Sequence, residues 1–189
     1  CAMIYWAQAL AYGPNINDFG YRASPEALAA LSKADKFSST SSAFEKDLIG
    51  AMAIRYTSDS ADVSRAMLNQ AYTNMMKKVY EKYTNNADAQ ALYADAMMLQ
   101  HPWDLWYIDG KPKAWTPLIR KVLEQLLKKS PNHPGANHYY IHVMEPSPFA
   151  ALALPSADRL GKLNPGLSHL VHMPSHIYLS TGFYKKGID

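Results

Sequence analysis

The chain has one cysteine, Cys1, in 189 residues. It can therefore form neither an internal disulfide framework nor a paired-cysteine zinc or haem motif. No apolar run approaches the ~18–20 residues needed to cross a bilayer as a helix. Charge is sparse and nearly balanced, at 19% charged residues and a net +3 with the seven histidines neutral. Lysines cluster only modestly, in short pairs (Lys77-Lys78, Lys128-Lys129, Lys185-Lys186). No long basic run with interleaved aromatics is present, so nucleic-acid binding is not indicated. A GxSxG nucleophile elbow, a phosphate-binding loop and a GxGxxG turn are all missing, which removes the common signatures of hydrolase, nucleotide and dinucleotide chemistry. Alternating strand patterns are missing too. With 48% hydrophobic residues, what remains is a globular, helical chain long enough to bury a substantial core.

Helix signals then follow one another at short intervals. Residues 2–12 are apolar and free of breakers up to Gly13-Pro14, and the loop GPNINDFGYR carries turn residues. Ser24-Pro25-Glu26 starts a helix over 25–36, with serine as cap and proline in the first turn. After the polar run SSTSS (38–42), Ser42 and Glu45 form a capping box for a helix over about 43–56. Ser60 is read as the cap of a long helix over 61–83, with Ala66, Ala71, Met75, Val79 and Tyr83 as its apolar stripe. Asn85-Asn86 opens a helix over 87–100. The stretch HPWDLWYIDGKPKAW (101–115) breaks the rhythm; its three tryptophans, two prolines and Asp-Gly turn predict an ordered insertion packed by its aromatics. Thr116-Pro117 restarts a helix to Lys129, and helices follow over about 134–145, 149–163 and 166–180. Gly182-Phe183-Tyr184 reads as a turn between helices.

The sharpest pattern lies between Pro131 and Tyr178. PNHPGANHYYIH (131–142) and PGLSHLVHMPSHIY (165–178) align so that His138 falls on His172 and His142 on His176, each pair 34 residues apart. That period is the length of a tetratricopeptide (TPR) helix-turn-helix repeat. The expected fold is all-α, a TPR-like α-solenoid of stacked antiparallel helix pairs, since short helices bury a continuous core only by stacking. One repeat domain over 1–189 is expected, interrupted at 101–115.

Three stretches, CAMIYWAQALAYGPNIN, HPWDLWYIDGKP and PNHPGANHYYIHVME with HLVHMPSHIY, resemble bacterial TPR-containing proteins over nearly the whole chain. The resemblance implies the repeat architecture, an extracytoplasmic location, and a chain that is a fragment of a longer solenoid. Cys1 is either the lipid-bearing residue of a processed lipoprotein or an internal residue; the mid-helix character of its surroundings favours the second. The 101–115 insertion and the long fourth helix depart from an even repeat.

Within each copy the histidines are four apart, one helical turn, on one face. First helices of adjacent TPR repeats lie ~8–10 Å apart, close enough for imidazoles on both to reach one ion. His138, His142, His172 and His176 are therefore candidate metal ligands, and His169 extends the second cluster. Neutral imidazoles suit Zn²⁺ or Cu²⁺, with Fe or Ni as further options. Glu145, one turn after His142, is a candidate carboxylate ligand, catalytic base or imidazole-orienting acceptor. Repeat matching adds Asp95, and Tyr139, Tyr140 and Tyr178 supply phenols. Pro174 bends its helix so as either to converge His172 and His176 or to part them.

A single helical histidine is ordinarily a surface or structural residue. Five within residues 138–176, four in register, point instead to a metal or catalytic cluster. His101 and His133 beside prolines, the tryptophans of the insertion and the Met75-Met76 and Met97-Met98 pairs read as structural. Two functions follow: a metal-binding TPR protein, with catalysis at an open coordination position, or a metal-free scaffold. A scaffold would bind a peptide in the concave groove or self-associate through the ends of the solenoid.

Overall fold

The computed structural model describes residues 1–20, 23–57 and 64–188, and among these it is helical with no strand. The contacts divide it into two units, Cys1–Pro102 and Trp103–Asp189, so the boundary falls inside the 101–115 stretch. No described helix is long and apolar enough to cross a membrane.

The first unit holds α1 (Ala2–Ala11), α2 (Ser24–Lys36), α3 (Ala43–Ile54), α4 (Arg65–Lys82) and α5 (Ala87–Met98). Helices α1 and α2 pack together, α3 lies against both, α4 packs on α3 and α5 on α4. Small residues make these contacts close: Ala9, Ala27, Ala34, Ala51, Ala89, Ala94 and Ala96 have no exposed surface. The capping box of α3 forms as the sequence predicts, Ser42 Oγ accepting from the Glu45 N–H at 3.3 Å and Glu45 Oε2 from the Ser42 N–H at 2.7 Å. Asn86 caps α5 by accepting from the Ala89 N–H at 2.9 Å.

Two local expectations shift. The Ser60 cap and residues 61–63 lie outside the described residues; α4 is capped by Ser64, whose Oγ accepts from the Met67 N–H at 3.3 Å. The buried face of α4 is Asn69, Tyr72, Thr73, Met76 and Val79, whereas Ala66 is exposed and Ala71 and Met75 are half-buried. The predicted stripe was rotated because it counted alanines as core and the polar residues as surface. In fact Thr73 Oγ1 donates to the Asn69 and Ala96 carbonyls at 2.8 Å each, so its hydroxyl is satisfied in the interior.

The second unit holds α6 (Thr116–Lys129), α7 (Pro134–Met144), α8 (Leu154–Leu163), α9 (Ser168–His172) and α10 (Pro174–Thr181). Helix α6 presents Ile119, Val122, Leu123 and Leu126 at helical spacing, all but fully buried. Each such side chain contributes about 1.5–3 kcal/mol by leaving water. Helix α7 is the centre of the unit. It packs against α6 and α8 and touches α10, and nearly every residue from Ala136 to Met144 is buried.

The insertion is ordered, but its tryptophans are clamps more than core. The Trp115 indole N–H donates to the Asp104 carbonyl at 2.8 Å and that of Trp106 to the Val143 carbonyl at 2.7 Å. The buried side chains are Leu105 and Thr116, and the Thr116 hydroxyl donates to the Leu105 carbonyl. Between them Tyr107–Lys111 makes a tight turn at Asp109-Gly110, where Gly110 has φ +80°.

Candidate metal centre

Helix α7 is built by the PNHPGAN segment. Pro134 sits in its first turn, and His133 Nδ1 accepts from the Ala136 N–H at 3.1 Å as the helix cap. The Asn137 amide donates to the Pro131 carbonyl at 2.8 Å and to the His133 carbonyl at 2.9 Å, tying the turn to the helix. His133 is thus structural, as its sequence context suggested. At the other end Pro146, which lacks an N–H, stops the helix and leaves Glu145 as its last turn residue. His138, His142 and Glu145 consequently share one face.

The sequence predicted one helix over 166–180; the chain forms two. Helix α9 ends at His172 and α10 starts at Pro174, where the missing proline N–H interrupts the ladder. The His176 N–H then bonds the Met173 carbonyl at 3.2 Å. Pro174 therefore acts as a helix start, and it leaves His172 Nε2 and His176 Nε2 3.3 Å apart.

The five imidazoles form a closed ring of neighbours. Ring centroids are separated by 4.7 Å for His138 and His142, 5.0 Å for His138 and His169, and 4.9 Å for His169 and His172. His172 and His176 lie 5.3 Å apart and His176 and His142 6.5 Å apart, which completes the circuit. The compact part is a triad: one nitrogen each of His138, His142 and His169 lie within 4.8 Å of one another, a set that can hold a metal ion. His138 Nε2 stands 3.1 Å from His142 Nε2 and 3.0 Å from His169 Nε2. Two imidazole ligands of one tetrahedral zinc have nitrogens about 3.3 Å apart, given Zn–N bonds of ~2.0–2.1 Å.

Glu145 organises the ring from behind. Its Oε1 lies 3.1 Å from His142 Nδ1 and its Oε2 2.7 Å from His176 Nδ1. A carboxylate accepts, so both imidazoles carry their proton on Nδ1 and keep the Nε2 lone pair for a ligand-binding role. His142 is 3% exposed and His176 38% exposed, so the carboxylate spans from the interior to the rim. Burial, together with His142, His169 and His172 nearby, pushes His138 down to about 3, and burial likewise lowers His169. Both are neutral at physiological pH, the form that binds metal.

The remaining expected neighbours divide. Tyr139 lies against His138 with ring centroids 5.2 Å apart. Tyr140 donates to Glu124 Oε1 at 2.9 Å, and Tyr178 to Asp158 Oδ1 at 2.7 Å, so both phenols are engaged by carboxylates of other helices. Asp95 belongs to α5 of the first unit, where it is buried and pushed up to about 6 by that burial, with Arg55 opposing. Trp103, read from the sequence as insertion core, is instead half exposed and stands edge-on to His142 at 5.2 Å. Its φ of +60° is unusual for a bulky residue. Nothing in its sequence context distinguishes it from Trp106 and Trp115.

No protein-family model matches the chain, and no curated protein or solved structure matches it either.

Proposed function

We propose that this is a TPR-like helical-repeat protein whose second unit carries a transition-metal centre on His138, His142 and His169. Zn²⁺ and Cu²⁺ suit the donors best and Fe is the further candidate. Within each unit, the packing of each helix on its sequence neighbour supports the repeat architecture. One observation carries the metal reading: three imidazole nitrogens meet with His138 Nε2 in the middle. With the His142 proton held on Nδ1 by Glu145, His142 Nε2 offers a lone pair. If His138 Nε2 bears a proton it satisfies His142, and cannot accept from His169. If it bears none it can accept from His169, and faces the His142 lone pair. On neutral rings no arrangement of protons gives each contact a hydrogen bond of its own; one proton on His138 Nε2 serves both only as a shared, bifurcated bond. A cation shared by the three lone pairs satisfies both contacts.

Three histidine ligands leave coordination positions for water or substrate, the pattern of catalytic rather than closed structural sites. The centre is therefore suited to a metalloenzyme, with water activation or oxidative chemistry according to the ion. Glu145 serves here as the residue that positions His142 and His176, not as a ligand.

Titration of chelator-treated protein with Zn²⁺ against a chromophoric competitor tests this. His138→Ala should weaken binding by at least about 100-fold, and Glu145→Gln by roughly 10–100-fold. His133→Asn, which keeps a helix cap outside the cluster, should bind as the parent does. An apoprotein that takes up neither Zn²⁺ nor Cu²⁺ would refute the proposal, and the histidines would then be read as part of a peptide-binding or assembly surface.

A further inference from the structure

Resting on that metal-centre reading, we infer that the five-histidine ring binds two ions, an inner one on His138, His142 and His169 and an outer one on His172 and His176. One ion taking all five imidazoles would need all five donor nitrogens within a single coordination sphere. The donors that lie mutually within 4.8 Å are three, not five. His172 and His176 instead form their own pair, with Nε2 atoms 3.3 Å apart, the spacing of two ligands on one ion.

The carboxylate respects this division. Glu145 gives one oxygen to each set, Oε1 to His142 of the triad and Oε2 to His176 of the pair. Each set therefore contains one imidazole whose Nε2 lone pair the same carboxylate fixes. Neutralising one carboxylate between two cationic sites is also electrostatically favourable to both.

Exposure sets the order of affinity. The inner triad is mostly buried, whereas His172 is exposed and His176 38% exposed. With two protein ligands and the remaining positions open to solvent, the outer ion is the weaker and the faster to exchange. Borderline divalent ions such as Zn²⁺ and Cu²⁺ are the class that two imidazoles plus water accommodate.

Calorimetric titration of the full, metal-depleted chain with Zn²⁺ tests the division. The parent protein should bind two equivalents, the second at least tenfold more weakly. His172→Ala/His176→Ala should lose the second equivalent and keep the first within about threefold. Retained far-UV circular dichroism would show that the double variant is folded, and the single variant His172→Ala, at an exposed position, repeats the test with minimal risk to folding. A parent protein that binds one equivalent, or two equivalents that persist in both variants, would overturn the inference and leave the inner centre standing. Failure to bind any Zn²⁺ would overturn the inference together with the metal reading beneath it.

Discussion

His138 is the residue through which the geometry of the second unit is most constrained. It sits on the most buried helix of that unit, is 8% exposed, and its Nε2 touches two other imidazoles. Its folded-state value of about 3 lies below the ordinary histidine value of 6.5. Between these values the unfolded chain binds a proton that the folded chain does not. Stability of the metal-free protein should therefore be fully present above about pH 6.5 and be lost as pH falls toward 3. The slope for one such proton is about 1.4 kcal/mol per pH unit, with the lowered His169 adding to it in the same direction. Urea unfolding of the metal-free protein at pH 7.5, 6.0 and 5.0 measures this, and His138→Gln should flatten the dependence. A parent protein equally stable at all three would contradict the assigned burial.

At this scale the sequence was legible where spacing alone decides. The i, i+4 pairs put His138 with His142 and His172 with His176, and the i, i+3 step put Glu145 beside His142. The membership of the triad was not legible. His169 joins His138 and His142 through a side-chain contact between α9 and α7 that no repeat alignment contains. Trp103 was equally hidden, since its role depends on a backbone turn that places one of three similar indoles against His142.

Among the elements, caps and breakers were readable because each acts through its immediate neighbours. Ser42 with Glu45, Asn86, and Thr116-Pro117 all start helices as their chemistry dictates. Pro174 was recognised as an interruption, but whether it bends or ends a helix depends on what the flanking turns pack against. The rotated stripe of α4 has the same origin: Thr73 is a polar residue made interior by its hydroxyl's bonds to the Asn69 and Ala96 carbonyls.

Glycine positions give a paired prediction at this scale. Gly110 has φ +80°, and a Cβ there would stand 2.9 Å from Pro148 Cγ. Gly110→Ala should therefore cost roughly 1–3 kcal/mol. Gly50 lies inside α3 with open space around its Cβ direction, so Gly50→Ala should add about 0.5–1 kcal/mol. Denaturant midpoints of the two variants should move in opposite directions. Equal midpoints would mean that the Asp109-Gly110 turn is not formed as described.

For the whole molecule, the all-α class followed from missing strand patterns and repeated caps, and the described residues are helical throughout their regular elements. Within each unit consecutive helices pack on one another, while the division at Pro102–Trp103 was not visible in the sequence. The tryptophans that open the second unit read from sequence as one continuous insertion with His101 and Pro102. The histidine cluster belongs to the second unit, where α7 carries His138 and His142 and ends at Glu145, the carboxylate that contacts His142 and His176. A metal bound there would stabilise the folded state by an amount that grows with the logarithm of the free metal concentration, ~2.7 kcal/mol at a hundredfold excess over Kd.

The most direct measurement is elemental analysis of the native protein, purified without chelator, beside a His138→Ala/His142→Ala variant shown to be folded. The account predicts at least about one equivalent of Zn, Cu or Fe per chain in the native protein and loss of the inner ion from the variant. Native protein without metal that also takes up none on reconstitution, or metal retained in full by the variant, would contradict it.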